Sequence, residues 1–293
     1  MNENPLREVW KEIEAKGAPP IGITNVSELG LTDLKHLVGE ENYMELRILC
    51  ERMYAGEAFI IRNAAPLKLK EVMRQLADDY AKNREPEFHK MLDGCPNFHR
   101  IIDPEITKKY SLYAIKHSFY FYNWNVNTEL EKQFKDLVYD HWRYIKFVAG
   151  NGLTDYESNI PSQGQVDRLQ IINYPRGGGE LREHEDPRKN QRIVSGLIMS
   201  KLGEDFETGG FYFRTADGEK INVERKLNIG DSLMFYGSIR HGVEPVDPEH
   251  ELDWDLNVGR WFIGMFVNDS DHVRDRVTAY DVSQSVGFNN EKA

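Results

Sequence analysis

Three side chains of the metal-binding kind occur in an order that suits a single site. His184 and Asp186 are separated by one residue, and His241 follows further along the chain. Because side chains alternate along a β-strand, residues two apart at a strand end point to the same side. The pair alone is weak evidence, since acidic residues fill 48 of the 293 positions. We interpret His184, Asp186 and His241 together as the ligands of one metal ion, with His241 on a facing strand.

Two imidazoles and one carboxylate define the chemistry that such a site supports. This donor set leaves three positions of an octahedral metal open on one face, which allows a bidentate co-substrate and then dioxygen to bind. The mixture of nitrogen ligands and one hard oxygen suits Fe(II) better than a metal that prefers thiolates. The sequence therefore favours a redox-active iron centre.

Composition narrows the class of protein that must hold this site. The formal net charge is −11 and the isoelectric point about 5.4, which argues against a nucleic-acid or anionic-membrane binder. The two cysteines, Cys50 and Cys95, lack paired spacing and are interpreted as reduced thiols. With neither a secretory signal nor a long apolar stretch, we expect a cytoplasmic protein without a membrane span.

The patterns along the chain change character near residue 150. Residues 1–150 are rich in amphipathic helical segments, interrupted by a short apolar strand at residues 58–61 and by a polar loop or lid at residues 83–103. Residues 110–124 are unusually aromatic, as in a strand or a pocket wall. After residue 150, short strands alternate with turns. The strands are predicted at residues 166–174, 193–201, 210–214, 232–236, 241–246 and 258–267.

These patterns predict an α+β fold with a double-stranded β-helix (jelly-roll) core buttressed by N-terminal helices. With no linker visible, we expect residues 1–293 to form a single domain. Within it, residues 1–150 give helical support and pocket elements, residues 151–268 the jelly roll, and residues 269–293 a C-terminal tail.

Residues 166–268 resemble the Fe(II)/2-oxoglutarate-dependent dioxygenase superfamily, specifically its prolyl-hydroxylase-like branch. His184, Asp186, His241 and Arg260 occur in the order found in that family. The segments that carry the resemblance are residues 169–175, 184–186, 207–210, 230–235 and 241–246, closed by Arg260.

The resemblance implies Fe(II), 2-oxoglutarate as co-substrate and dioxygen, with release of succinate and carbon dioxide. It gives Arg260 the task of holding the distal carboxylate of 2-oxoglutarate through two parallel hydrogen bonds, which Lys cannot copy. The family often has a hydroxyl two residues further on, where this chain has Phe262. Tyr174 matches the family's tyrosine position and is the candidate for the second contact. Asp186 argues for hydroxylation, because related halogenases carry a small residue there; desaturation, cyclisation and epimerisation stay open.

Three hypotheses follow for the function. The first is an oxygenase that hydroxylates a small molecule, such as an amino acid or a biosynthetic intermediate, as a monomer or homodimer. The second is a cupin-like isomerase or hydrolase that uses the same ligands without dioxygen, although the His-x-His pair of cupins is absent. The third is a binding protein with a degenerate site. The sequence names no substrate.

Several weaker signals admit two interpretations. The glycine-rich residues 176–180 lack the lysine of a phosphate loop and are interpreted as a flexible hairpin or substrate loop. His99 and His117 either line the pocket or are ordinary hydrogen-bonded histidines. Another set of side chains near the His-x-Asp pair indicates either an anionic substrate or a salt-bridged surface; its members are Arg182, Arg188 and Arg192.

Overall fold

The computed structural model describes residues 4–83, 86–105, 112–274 and 280–281. Its helices are α1 (Leu6–Glu14), α2 (Leu31–Gly39), α3 (Tyr43–Tyr54), α4 (Lys68–Asn83) and α5 (Glu129–Val148). Its strands are β1 (Asn25–Gly30), β2 (Glu57–Arg62), β3 (Phe98–Ile102), β4 (Ala114–Tyr122), β5 (Gln165–Tyr174), β6 (Gly179–Glu185), β7 (Ile193–Ile198), β8 (Gly210–Arg214), β9 (Lys220–Asn222), β10 (Ser232–Tyr236), β11 (His241–Val246), β12 (Arg260–Asp269) and β13 (Tyr280–Asp281).

The strands from β5 to β12 form the two sheets of a jelly roll. The major sheet has the order β10-β7-β12-β5 and the minor sheet the order β6-β11-β8-β9, so the chain crosses repeatedly between them. β4 hydrogen-bonds to β5 and to β6 and joins the two sheets. β2 and then β1 extend the major sheet beyond β10, β3 pairs with β4, and β13 pairs with β6. The predicted α+β class and its double-stranded β-helix core are confirmed.

The helices cover one face of the major sheet. Phe121 of β4 packs against Phe134 of α5 with ring centroids 5.3 Å apart. On β12, the ring of Trp261 lies 4.1 Å from the guanidinium of Arg74, which comes from α4. Because strand side chains alternate, neighbouring residues such as Arg260 point to the other side, toward the minor sheet. We call this second side the inner face of the major sheet.

Helix α5 is fixed at its start by local side-chain chemistry. The hydroxyl of Thr128 accepts a hydrogen bond from the backbone N–H of Glu131 at 3.1 Å, and the Glu131 carboxylate accepts one from the N–H of Thr128 at 3.0 Å. This reciprocal cap satisfies two N–H groups that the first turn leaves without helical partners. It places Phe134 and Trp142 on the buried side of the helix.

Two segments differ from the sequence predictions. Residues 83–103 are not wholly loop, because β3 occupies their last part and pairs with β4. Residues 176–180 are not wholly a flexible hairpin, because β6 begins at Gly179. In both cases the backbone pairs with a strand distant in sequence, which local polarity and glycine content cannot reveal. Within the described ranges, no helix combines the length and apolar character needed to span a membrane.

Candidate functional site

His184, Asp186 and His241 meet at one end of the minor sheet. β6 carries His184 directly opposite His241 of the antiparallel strand β11, and Asp186 follows the end of β6. One ligand atom from each residue lies within 4.8 Å of the other two. Nε2 of His241 is 3.4 Å from Oδ2 of Asp186, and the two imidazole centroids are 4.2 Å apart. The structure thus brings the predicted set together in a geometry that one metal ion can bridge.

Backbone carbonyls orient both imidazole rings. Nδ1 of His184 lies 2.9 Å from the carbonyl oxygen of Arg182, and Nδ1 of His241 lies 2.9 Å from that of Ile239. A carbonyl only accepts, so each Nδ1 must carry the proton and donate it. Nε2 is then the unprotonated nitrogen on both rings, as a metal ligand requires.

Electrostatics favour the deprotonated form of these ligands. Burial lowers the pKa of His184 to about 4. Burial by itself raises the pKa of Asp186, but the neighbouring His241, His184 and Lys116 outweigh it, so the pKa lies below its usual value. At neutral pH a metal would therefore meet a neutral imidazole at His184 and a carboxylate at Asp186.

The surroundings hold the three side chains in place. The backbone N–H of Asp186 donates to the carbonyl of Gly237 at 2.9 Å, which fixes the loop after β6 against the turn between β10 and β11. The ring of His241 packs against Phe235 and Phe211, with centroid distances of 4.8 and 5.6 Å. A site on strand ends that are tied in this way needs little rearrangement to bind a metal.

Arg260 stands at the start of β12, opposite Tyr174 of β5 and fully buried. Its Nε donates to Oε2 of Glu224 at 3.0 Å. Its Nη1 and Nη2 are buried and have no hydrogen-bond partner among the residues that the structure describes. Buried donors of a charged group are costly to leave unsatisfied. A ligand carboxylate that accepts from both Nη atoms would remove this cost, so the residue fits its predicted role.

Glu224 is a functional candidate that sequence reasoning missed. It lies in a short 3-10 turn before β10, and its Oε2 also accepts the backbone N–H of Phe211 at 2.7 Å. A Cβ at Gly210, where φ is +105°, would come within 2.5 Å of Cγ of Glu224. The glycine pair at residues 209–210 was visible in the sequence, but the side chain for which Gly210 makes room was not.

Phe262 takes the place of the family's hydroxyl and fills space instead. A Cβ on Gly196 of the neighbouring strand would lie 1.9 Å from Cζ of the Phe262 ring, so the ring lies directly over that glycine. Tyr174 shares the inner face with Arg260, whose guanidinium carbon lies 5.8 Å from the tyrosine ring. The role of Tyr174 as a second co-substrate contact stays a prediction.

The remaining sequence candidates fall outside this centre. Nε2 of His99 lies 2.9 Å from Nδ1 of His117, and burial lowers the two pKa values to about 3 and about 4. His117 alternates to the helix side of β4, together with Phe119, so the ordinary hydrogen-bonded account applies to this pair. Arg192 forms an ion pair with Glu14 at 2.7 Å, in agreement with the salt-bridged interpretation.

The other two arginines of that group face outward. Arg182 is exposed and stacks on the ring of Tyr113 at 3.8 Å, and Arg188 is also exposed. A positive charge that the sequence did not single out lies closer to the centre. Lys116 of β4 is only 4% exposed, burial lowers its pKa to about 8, and its charge interacts with Asp186.

Three of the solved structures that are similar to this chain are compared with it by their TM-score, identity and coverage. A prolyl hydroxylase from Trichoplax adhaerens, in complex with a hypoxia inducible factor oxygen degradation domain peptide fragment, matches with a TM-score of 0.51 at 13% identity, over 79% of this chain and 92% of that chain. A full-length Neurospora crassa protein in complex with alpha-KG gives 0.49 at 14%, over 83% and 84%. A Pseudomonas putida prolyl-4-hydroxylase gives 0.43 at 15%, over 72% and 91%.

No family model and no curated protein matches the sequence. At these identities the likeness concerns the fold. The chain has the jelly-roll fold of the Trichoplax prolyl hydroxylase, and the resemblance to the prolyl-hydroxylase-like branch of the Fe(II)/2-oxoglutarate dioxygenases is confirmed at that level.

Proposed function

We propose that this chain is an Fe(II)- and 2-oxoglutarate-dependent oxygenase that hydroxylates a small molecule and releases succinate and carbon dioxide. The observation that carries the proposal is the pairing of two features across the jelly roll. His184, Asp186 and His241 offer ligand atoms within 4.8 Å of one another, and Arg260 presents two buried N–H-bearing nitrogens without a partner among the described residues. One feature suits a metal and the other a carboxylate.

Each residue of the candidate site has its own role in this proposal. His184, Asp186 and His241 would hold Fe(II), and Arg260 would hold the distal carboxylate of 2-oxoglutarate, with Tyr174 as the proposed second contact. The bound iron and co-substrate supply the oxidising chemistry, while the protein supplies orientation and exclusion of water. The ring of Phe262 lies 5.7 Å from the guanidinium carbon of Arg260 and offers no hydrogen bond. We further propose that residues 1–293 act as one oxygenase domain, since β2 of the N-terminal part pairs with β10 of the jelly roll.

Anaerobic reconstitution tests the proposal. Protein loaded with Fe(II) and 2-oxoglutarate should develop the weak visible charge-transfer band of a chelated 2-oxo acid, and oxygen should then produce succinate. Arg260→Met should weaken 2-oxoglutarate binding by about 10- to 100-fold, because a charge-assisted pair is lost. Arg74→Met is the matched control, since Arg74 stacks on the helix side of β12.

The same experiment separates the alternatives. A wild-type protein that binds Fe(II) but gives neither the band nor oxygen-dependent succinate would contradict the oxygenase and leave a cupin-like isomerase or hydrolase. Equal loss of 2-oxoglutarate binding in Arg74→Met and Arg260→Met would contradict the role given to Arg260.

A further inference from the structure

A group of buried hydrogen-bond donors lies on and beside the inner face of the major sheet, away from Arg260. The nitrogens are Nε of Arg168, Nδ2 of Asn268 and Nε1 of Trp124, and none of them has a partner in the part of the chain that the structure describes. All three donate and none accepts in these roles. Such a group is complementary to a ligand whose atoms only accept.

The three donors come from adjacent positions. Arg168 of β5 pairs with Tyr122 of β4 on one side and with Phe266 of β12 on the other. Asn268 is the next residue of β12 on the same face, and Trp124 stacks on Tyr122 with centroids 4.5 Å apart. The register of Arg168 and Asn268, and the stacking of Trp124 on Tyr122, therefore place the donors in one region beside the inner face.

Arg168 is held in a fixed orientation yet stays accessible to solvent. Its guanidinium carbon lies 5.1 Å from the ring centroids of both Tyr120 and Phe266. Its Nη2 donates to Oε1 of Gln170 at 3.2 Å, and Gln170 in turn donates to Ser118 at 3.0 Å. The side chain is only half-buried. A stacked, hydrogen-bonded guanidinium loses little further entropy when it binds an anion.

The register also places Arg168 at the metal end of the jelly roll. Leu169, its neighbour on β5, pairs with Met265, and Met265 pairs with Ser195 near the start of β7, the strand that follows the His-x-Asp loop. Arg260 lies at the other end of β5, opposite Tyr174. With a rise of about 3.3 Å per residue, Arg168 and Tyr174 are roughly 20 Å apart along that strand. A co-substrate held by Arg260 would therefore leave Arg168 to another ligand.

The charges around Arg168 favour an anion. No carboxylate among the described residues forms an ion pair with Arg168, although the chain has a formal net charge of −11. Lys116 points to the same face, and its positive charge interacts with that of Arg168. The two positive charges repel each other, and an anion bound beside Arg168 would reduce this repulsion.

We propose that Arg168, Asn268 and Trp124 form a subsite for an oxyanion of the substrate, so that the small molecule oxidised here carries a carboxylate or a phosphate. This inference rests on the proposed function. The anionic group binds at the subsite and positions the rest of the molecule toward His184, Asp186 and His241. The rings of Tyr120 and Phe266 contribute apolar contact beside the charge.

Calorimetry with three matched probes tests the subsite. Benzoate, phenyl phosphate and neutral benzamide are titrated into protein with and without Fe(II) and 2-oxoglutarate under anaerobic conditions. We expect saturable binding of at least one anion and at least 10-fold weaker binding of benzamide. Arg168→Met keeps an apolar stem between the two rings and should weaken anion binding about 10- to 100-fold. Preference for benzoate or for phenyl phosphate identifies the head group.

Two further variants sharpen the test. Asn268→Asp keeps the side-chain shape but adds a negative charge and should also weaken anion binding, with a preserved far-ultraviolet circular dichroism spectrum. Arg52→Met is the control, because Arg52 stacks on Phe59 outside the inner face and pairs with Glu57. Its anion affinity should equal that of the wild type.

The possible outcomes distinguish a failure of the anion subsite from a failure of the proposed oxygenase function. Failure of wild-type protein to bind either anion, or an unchanged affinity in Arg168→Met, would overturn the subsite even if the charge-transfer band and succinate appear. Arg168-dependent anion binding in protein that gives no band would retain the subsite and contradict the oxygenase.

Discussion

Nε of Arg260 donates to Oε2 of Glu224 at 3.0 Å inside the jelly roll, and both side chains are 1% exposed. The same carboxylate oxygen accepts the N–H of Phe211. Glu224 therefore fixes the direction of the guanidinium while Nη1 and Nη2 stay available to a ligand. Under the proposed function Glu224 would be a positioning residue, since it would act on the co-substrate through Arg260.

Replacement of Glu224 tests this relationship. Glu224→Ala should lower the free energy of unfolding by about 3–5 kcal/mol, because Arg260 is left buried without its partner. It should also weaken 2-oxoglutarate binding, as measured by titration of the visible band. Glu224→Gln retains an oxygen acceptor and should recover most of the affinity. Glu219→Ala, at an exposed position, is the control. Full 2-oxoglutarate affinity in Glu224→Ala would exclude a positioning role.

Removal of a proposed metal ligand gives a second prediction. A ligand at 100 times its dissociation constant stabilises a protein by about 2.7 kcal/mol, so Fe(II) should raise the midpoint of anaerobic thermal unfolding of the wild type. Asp186→Ala should abolish this shift. Glu249→Ala is the control, because Glu249 belongs to an exposed cluster with Glu207 and His250 that also offers three possible ligands. Loss of the shift in Glu249→Ala alone would assign the metal to that cluster.

The stability of the protein should fall in mild acid because of His141. Nε2 of this fully buried side chain lies 3.1 Å from Ser195 and 3.0 Å from Ser232, and burial lowers its pKa from 6.5 to about 3. Between these pH values the unfolded chain binds the extra proton, so stability is complete above pH 6.5 and is lost as the pH falls toward 3. At pH 5 this loss of stability is about 2 kcal/mol.

Urea unfolding at pH 7 and pH 5 measures this effect. The loss of stability between the two pH values should be smaller by about 2 kcal/mol in His141→Gln than in the wild type. The exposed His36 on α2 gives the control variant His36→Gln, which should behave as the wild type does. An unchanged loss in His141→Gln would show that other groups cause the acid sensitivity.

The contact between Gly196 and Phe262 gives a fourth prediction. Gly196→Ala should destabilise the protein by about 1–3 kcal/mol, since its Cβ would overlap the Phe262 ring. Gly39→Ala is the control, because nothing lies within 4 Å of a Cβ at that position. In the double variant with Phe262→Ala, the cost of Gly196→Ala should nearly vanish, which urea unfolding can detect as a coupling energy. If the free-energy costs of Gly196→Ala and Phe262→Ala simply added, the Phe262 ring would not be the reason for a glycine at position 196.

Local sequence patterns predicted several strands of the fold and the residues of the candidate site. Apolar runs separated by turn residues predicted β8, β10 and β11 with the bounds that the structure has, and the alternation of strand side chains predicted that His184 and Asp186 point the same way. The type and order of His184, Asp186, His241 and Arg260 were sufficient to identify the candidate site. These features depend on neighbours in sequence or on residue chemistry, and both can be read from the amino-acid sequence.

The contacts between groups distant in sequence become visible only in the folded protein. The partner of Arg260 is Glu224 in a polar turn, and the donors at Arg168, Asn268 and Trp124 come from three separate segments. In the sequence these residues look like ordinary polar or aromatic positions in a chain rich in charge. Their significance arises from strand register and burial, which set the pairs in contact and remove water from unsatisfied groups. Both are properties of long-range packing, which local composition does not encode.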